Sequence, residues 1–221
     1  MEKGYKNFLQ VENLLDFSCN EECIVLSPHK SKENKPAITL HIPGNPCNAD
    51  FYGKEKTLNI SNAILFYRIY KETYKLLEKS NMPLTYEADH HGPTIERPIM
   101  FYELGATETE WNNEHFHSLM ANALENAFDS NEMPKIIALY FGGNHYASMC
   151  NKLTRNNDYA FSHIIAKYCL DCLTKDVFKQ AVEKCLQKID IVLIEKNGTT
   201  KEQKEKIISF ANELGLEYKV V

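Results

Sequence analysis

The sequence has no long hydrophobic run. Its longest apolar stretches, KIIALYF at 135–141 and IDIVLIE at 189–195, fall far short of the roughly 20 residues a helix needs to cross a bilayer. The polar, charged start MEKGYKNFLQ lacks the apolar region of a secretory signal, so a cytoplasmic location and no membrane partner are expected. Excess positive charge is also absent. Against 25 Lys and Arg stand 30 Asp and Glu, a net charge of −5, which argues against holding nucleic acid by bulk charge and leaves room only for a local basic patch. Repeats and low-complexity stretches are missing. Cysteine occurs in an odd number, seven, scattered over a chain large enough to do without staples, so reduced thiols and no disulfides are expected. Cys169 and Cys172 form a CxxC with no second such pair, which predicts buried small side chains rather than a zinc knuckle.

What is present has the composition of an ordinary globular protein, 43% hydrophobic and 25% charged over 221 residues. That is enough for one sizeable core, and a single domain spanning 1–221 is expected. Short β-rich runs alternate with helical periods, the pattern of an α/β fold. Strands are predicted at 22–27, 37–42, 84–89, 99–104, 135–141 and 190–195, with another in 216–221. Helices are predicted at 61–80, 107–128, 158–173, 174–189 and 200–214. Thr107 with Glu110, and Thr200 with Gln203, have capping-box spacing, and Gly215 suits a helix stop. Two adjacent early strands suggest a hairpin in a mixed sheet. The loop at 43–56, with two prolines and two glycines, is long for a plain connection.

Histidines collect at predicted strand ends. His90 and His91 precede Gly92 and Pro93 after the strand LTYEAD, at the edge where α/β sheets bind ligands. Neighbouring strand residues face opposite ways, so both imidazoles serve one site only if the strand has already broken into a loop, which Gly92 allows. The plain alternative is a turn that happens to carry two histidines. FGGNHYA (141–147) repeats the arrangement, with His145 following Gly142 and Gly143, a glycine pair whose amides can approach an anion. His29 in SPHKS and His41 in LHIPGN sit at two further strand ends. Glu103, near the end of its own strand, has the chemistry to ligate a metal, orient a ligating histidine or act as general base. His115 and His117, two apart on a predicted helix, cannot share a face and read as structural. Histidine and carboxylate without a thiolate is the ligand chemistry of hydrolytic zinc sites that keep one position open. Spacing this long leaves the ligand identities open.

In order along the chain, SPHKS, LHIPGN, HHGPT, FYELGATETEW and GGNHYA resemble the signature blocks of the archaeal and plant-type D-aminoacyl-tRNA deacylases. YAFSHIIAKY (159–168) is similar to the family's Gly-His helix start, with Ser162 in place of glycine, and EKNGTTKEQKEKI resembles its block before the last helix. The resemblance runs from about residue 22 to the C-terminus and implies a three-layer α/β/α arrangement around a mixed sheet, related to phosphorylase and peptidyl-tRNA hydrolase folds. It further implies Zn2+ as cofactor, D-aminoacyl-tRNA as substrate and partner, and hydrolysis of the ester that joins them; a monomer is expected. Carried over by position, it makes His90, His91 and Glu103 catalytic, and His91, His145, His163 and Glu103 metal ligands. Gly92, Pro93, Thr94, Gly142, Gly143, Tyr146, His29, His41 and Lys30 become substrate contacts. The amides of Gly142 and Gly143 are expected to hold an oxyanion or phosphate, and Lys30, Lys32 and Lys35 to dock tRNA. Asp89 and Ser148 depart from the family's usual threonine and proline, and Asp89 is expected to tune His90 or His91. The family's opening strand and Ser-x-x-Asp-Pro block are not recognisable in the first residues. Two other readings stay open: a tRNA-binding relative without turnover, and a metal-dependent hydrolase or phosphorylase on a related fold.

Overall fold

The β-branched and aromatic runs fold as strands in a computed structural model that describes residues 22–31 and 34–221. Cys19, Lys32 and the segment expected to carry the family's opening block lie outside the described residues. In chain order the elements begin with β1 (Cys23–His29), β2 (Ala37–His41), β3 (Gly44–Asn45), β4 (Thr57–Leu58) and α1 (Ala63–Leu76). They continue through β5 (Leu84–Tyr86), β6 (Ile99–Gly105), α2 (Glu108–Trp111), α3 (Glu114–Asp129), β7 (Ile136–Phe141) and α4 (Ser148–Asn157). The chain closes with β8 (Tyr159–Ile165), α5 (Lys175–Glu183), β9 (Ile191–Ile194), α6 (Lys201–Glu213) and β10 (Tyr218–Val220).

The α/β expectation holds, with the larger strands divided between two four-stranded sheets. The first has the order β1-β6-β2-β5, with β6 parallel to β1 and antiparallel to β2. The second, β10-β9-β7-β8, is parallel throughout. They meet edge to edge where the chain leaves β5: Ala88 N donates to His145 O and Asp89 N to Ile164 O, each at 2.8 Å, and Ala147 N donates to Tyr86 O at 2.9 Å. The expected early hairpin does not form, because β6 lies between β1 and β2. The consecutive antiparallel pair is instead β3 with β4, closing the base of the 43–56 loop.

One predicted helix is a strand. Residues 158–173 form β8 and a short 3-10 turn at Lys167–Cys169. Ala160 through Ile165 are all buried, and a run buried on both faces carries no period-2 signal to separate it from a buried helix. The unpredicted α4 precedes it. The predicted helix at 107–128 divides at Asn112–Asn113: Thr107 caps α2 in the expected box with Glu110, and Asn113 starts α3 by accepting from His115 N. Asparagine side chains compete for backbone donors and so favour caps over helix interiors.

α1 buries Leu65, Phe66, Ile69, Tyr70 and Thr73, a stripe at three- and four-residue spacing. That stripe enters a core with Ile38, Leu40, Tyr86 and Tyr102 of the first sheet and Tyr140 and Phe161 of the second. A second core joins Leu139, Phe141, Val192 and Ile194 to α5 and α6 through Val177, Phe178, Ile207 and Ala211. β7 thus sends Ala138 and Tyr140 to one core and Leu139 and Phe141 to the other. No helix among the described residues is long and apolar enough to cross a membrane.

The cysteine expectation is overturned at one place. Cys47, in the 43–56 loop, is disulfide-bonded to Cys172, with Cα atoms 5.8 Å apart. They are separated by 125 residues, so spacing gave no sign that two loops would bring them together. Cys169 is free and buried, as expected.

Candidate active site

Beyond β5 the chain keeps its alternation for three residues, which turns Glu87 away from Tyr86 and Ala88. On a half-buried strand that face would meet solvent; here it meets histidines, and the Glu87 side chain is fully buried. Its Oε2 lies 3.1 Å from His41 Nδ1, and its Oε1 lies 3.2 Å from His145 Nε2 and 3.6 Å from His29 Nδ1. These are ion-pair distances without full hydrogen-bond geometry, so both Glu87 oxygens and His41 Nδ1 stay short of a hydrogen-bond partner. Burial alone would raise the Glu87 carboxyl; the close contacts with His145 and His41 outweigh it and hold the group well below the usual carboxylate range.

His91 adopts a left-handed backbone, φ 46°, which breaks the strand so that consecutive imidazoles face one place. The ring centroids of His90 lie 4.2 Å from His41, 4.3 Å from His91 and 4.6 Å from His145. The local carbonyls decide the tautomers. His90 Nδ1 is 2.8 Å from Ala88 O and His91 Nδ1 is 2.5 Å from Gly92 O; a carbonyl only accepts, so each Nδ1 carries the proton and each Nε2 a lone pair. The Glu87 carboxylate makes Nδ1 the protonated nitrogen of His41 as well. His41 Nε2 then faces His91 Nε2 at 3.2 Å, an approach two lone pairs make only with a proton or a metal ion between them. Burial, then the neighbouring His41 imidazole, keeps His91 down to about 4, and burial with its imidazole neighbours holds His90 well below its ordinary value. Both are neutral at pH 7, with an Nε2 lone pair each to offer. The donor atoms of His41, His90 and His91 all lie within 4.8 Å of one another, as do those of Glu87, His90 and His145, and those of His29, Glu87 and Glu103.

Glu103 stands behind this ring. It accepts from Ser27 Oγ at 2.5 Å and contacts His29 Nδ1 at 3.2 Å, while His29 Nε2 meets Tyr146 Oη at 3.0 Å. Burial would lower the His29 pKa, but the Glu103 hydrogen bond and the charges of Glu87 and Glu103 outweigh it and raise it.

Several expected site residues fall elsewhere. His163 is fully buried in β8, bonded through Nδ1 to Asp89 at 2.5 Å, with Nε2 toward Lys184 O at 3.4 Å, so neither nitrogen is turned to the other histidines. Asp89 accordingly serves His163 and Ile164 N rather than His90 or His91. The amides of Gly142 and Gly143 are spent on Ile165 O and Gly198 O, which leaves neither to an oxyanion. Gly92, Pro93 and Thr94 anchor the long loop: Gly92 N donates to Phe51 O, Pro93 O accepts from Asn59, and Thr94 Oγ1 accepts from Lys54 N. A Cβ on Gly92 would meet Gly53 N at 2.5 Å. Lys30 lies over the Trp111 ring. His115 and His117 are exposed and outside the cluster, as expected.

The imidazoles open into a cavity of about 530 Å3 lined by His90, His91, His145, Phe51, Tyr168 and the Cys47–Cys172 bridge, among others. That volume is in the range of small-molecule sites. Its carboxylates are Asp50, Asp89 and Asp171, and no lysine or arginine lines it among the described residues. Tyr168 Oη lies 3.2 Å from His145 Nδ1. Sequence reasoning missed Glu87, Phe51 and Tyr168. Only Glu87 left a signal, a carboxylate three residues before the histidine pair.

The chain resembles proteins that carry a function in their names. A family model described as D-aminoacyl-tRNA deacylase matches residues 17–219. Curated D-aminoacyl-tRNA deacylases are similar along most of the chain. One from Thermococcus onnurineus is 34% identical over 200 residues, covering 90% of this chain and 73% of the relative. Another from Pyrococcus abyssi is 33% identical over 219 residues, covering 97% and 79%, and one from Sulfurisphaera tokodaii is 31% identical, covering 99% and 92%. Among solved structures, the crystal structure of a conserved protein of unknown function superposes with a TM-score of 0.90 at 27% identity, covering 96% of this chain and 77% of that one.

Proposed function

The chain belongs to the D-aminoacyl-tRNA deacylase family, and from that membership we propose that it hydrolyses the ester joining a D-amino acid to the 3′ end of tRNA, with zinc as cofactor. The single observation that supports a metal is the approach of His41 Nε2 to His91 Nε2 at 3.2 Å. His41, His90 and His91 would hold the ion through Nε2, a three-nitrogen set that leaves a position open. Imidazole serves several divalent metals, and zinc is assigned because ester hydrolysis needs no redox partner. Bound there, zinc would supply Lewis acidity to the ester carbonyl and lower the pKa of a water toward neutrality.

This chain's own residues supply the rest. Glu87 fixes His41 from behind, the outer carboxylate that a ligating histidine recruits. His145 faces the cavity between Glu87 and Tyr168, and is the group assigned to take a proton from water and return it to the departing ribose oxygen. Glu103, bonded to Ser27 and His29, orients the inner layer instead of acting as base or ligand. One core runs through both sheets, in keeping with a single functional domain.

The test incubates metal-analysed protein with D-Tyr-tRNA and L-Tyr-tRNA, with and without chelator. Release from the D-ester alone, lost on chelation and restored by zinc, is the expected result. Equal release from both esters, or none with zinc bound, would sink the reading.

A further inference from the structure

Two large rings stand at the rim of the cavity with most of their surface in water: Phe51 is 69% exposed and Tyr168 is 59% exposed. One exposed aromatic residue means little, since apolar atoms cover over half of any protein surface. These two differ because both line one cavity whose inner wall is His90, His91 and His145. Each is also fixed in place. Phe51 belongs to the 43–56 loop, whose backbone accepts from Gly92 N at Phe51 O; Tyr168 belongs to the 3-10 turn and reaches His145 through its hydroxyl. The Cys47–Cys172 disulfide joins the 43–56 loop to the segment just after that turn, so the two rings sit on loops covalently tied together.

The charge around them narrows what they could receive. Asp50 and Asp171 line the same cavity, and no lysine or arginine does among the described residues, so a phosphate is disfavoured there and a neutral, flat, polarisable group is favoured. In the hydrolysis proposed above, the ester carbonyl must reach the histidines while the RNA leaves toward solvent. The first piece of RNA outside the histidine wall is the nucleoside bearing the ester.

We propose that Phe51 and Tyr168 form a stacking platform for the terminal nucleobase of the tRNA, and thereby place its ribose ester against His90, His91 and His145. This rests on the deacylase reading of the site. Stacking on an aromatic ring tolerates any base and strengthens binding by roughly 5- to 100-fold per ring. It also explains how a chain with a net charge of −5 can hold an RNA end without surrounding it with cations. The phenol of Tyr168 keeps its separate contact with His145, so ring and hydroxyl have separable roles.

The test uses uncharged tRNA with 2-aminopurine as its 3′-terminal base, whose fluorescence is quenched on stacking and requires no turnover. The parent protein is expected to quench it. Phe51→Ala and Tyr168→Ala should each lose most of the quench and raise KM for D-Tyr-tRNA by roughly 5- to 100-fold. Phe51→Trp and Tyr168→Phe, which keep a ring, should retain the quench, and unchanged thermal unfolding certifies that the variants are folded. No quench by the parent, or a quench that survives both alanine variants, overturns the platform. Competition by free D-tyrosine that removes the quench would give the rings to the amino-acid side chain and overturn it equally. A quench lost in the alanine variants, in a protein that releases nothing from D-Tyr-tRNA, keeps the platform and removes the deacylase reading alone.

Discussion

At the scale of single residues, burial sets the titrations that can be tested. Glu22 accepts from Asn62 Nδ2 at 2.7 Å, yet burial lifts its carboxyl from 4.5 to about 7. Between those two pH values the folded state keeps a proton that the unfolded state has lost, so stability is greatest below 4.5 and falls as pH rises toward 7. Glu22→Gln is expected to remove that slope and stabilise the protein at pH 7 by about 2 kcal/mol, measured by urea unfolding across pH. His91 makes a second case. His91→Gln keeps a polar group beside His41 but loses the imidazole lone pair; metal analysis should find the ion gone and deacylation reduced at least 100-fold. The metal-free variant should unfold within about 1 kcal/mol of the metal-free parent. Much of this ring was legible in sequence, because His29, His41, His90, His91 and His145 all announce themselves next to strand ends or glycines. Glu87 was hidden, since a charge in the polar phase of a strand looks like solvent-facing surface until another element covers it. His163 misled for the converse reason: a histidine in a matching motif carries no sign of whether its nitrogens are already engaged.

Elements fail to be read where one pattern serves two structures. In YAFSHII nearly every position is buried, so the sequence carries neither a strand's alternation nor a helix's stripe, and nothing local in 158–173 separates strand from helix. The capping boxes, by contrast, predicted real helix starts because they depend on contacts three residues apart. Pairing across 125 residues is beyond such local rules, which is why the bridge from Cys47 to Cys172 went unforeseen. It closes a long chain segment, so its loss frees much of the unfolded state: reduction, or Cys172→Ser, is expected to lower stability by about 2–4 kcal/mol. Calorimetry with and without reductant measures this, and an unchanged melting temperature would count against the bridge in solution.

For the whole molecule, the core that passes from one sheet to the other is the main bond between them. Phe161 is fully buried and packs edge-on to Tyr86 at 6.1 Å and to Tyr140 at 5.9 Å, one ring from each sheet. Phe161→Ala should therefore cost about 3–5 kcal/mol in chemical unfolding. The same junction has a polar side. The residues that join the sheets by backbone hydrogen bonds include His145 itself, and Ala88, Asp89 and Ala147, which stand within two residues of the imidazoles in sequence. The Glu87 carboxylate, set between His41 of the first sheet and His145 after β7 of the second, would act on the architecture as a rivet does on two plates, and the proposed reaction centre would double as a fastener. Glu87→Gln should then be felt as mechanical slack: amides at 86–91 and 145–147 are expected to exchange with deuterium sooner, while those of α6, remote from the joint, keep their protection.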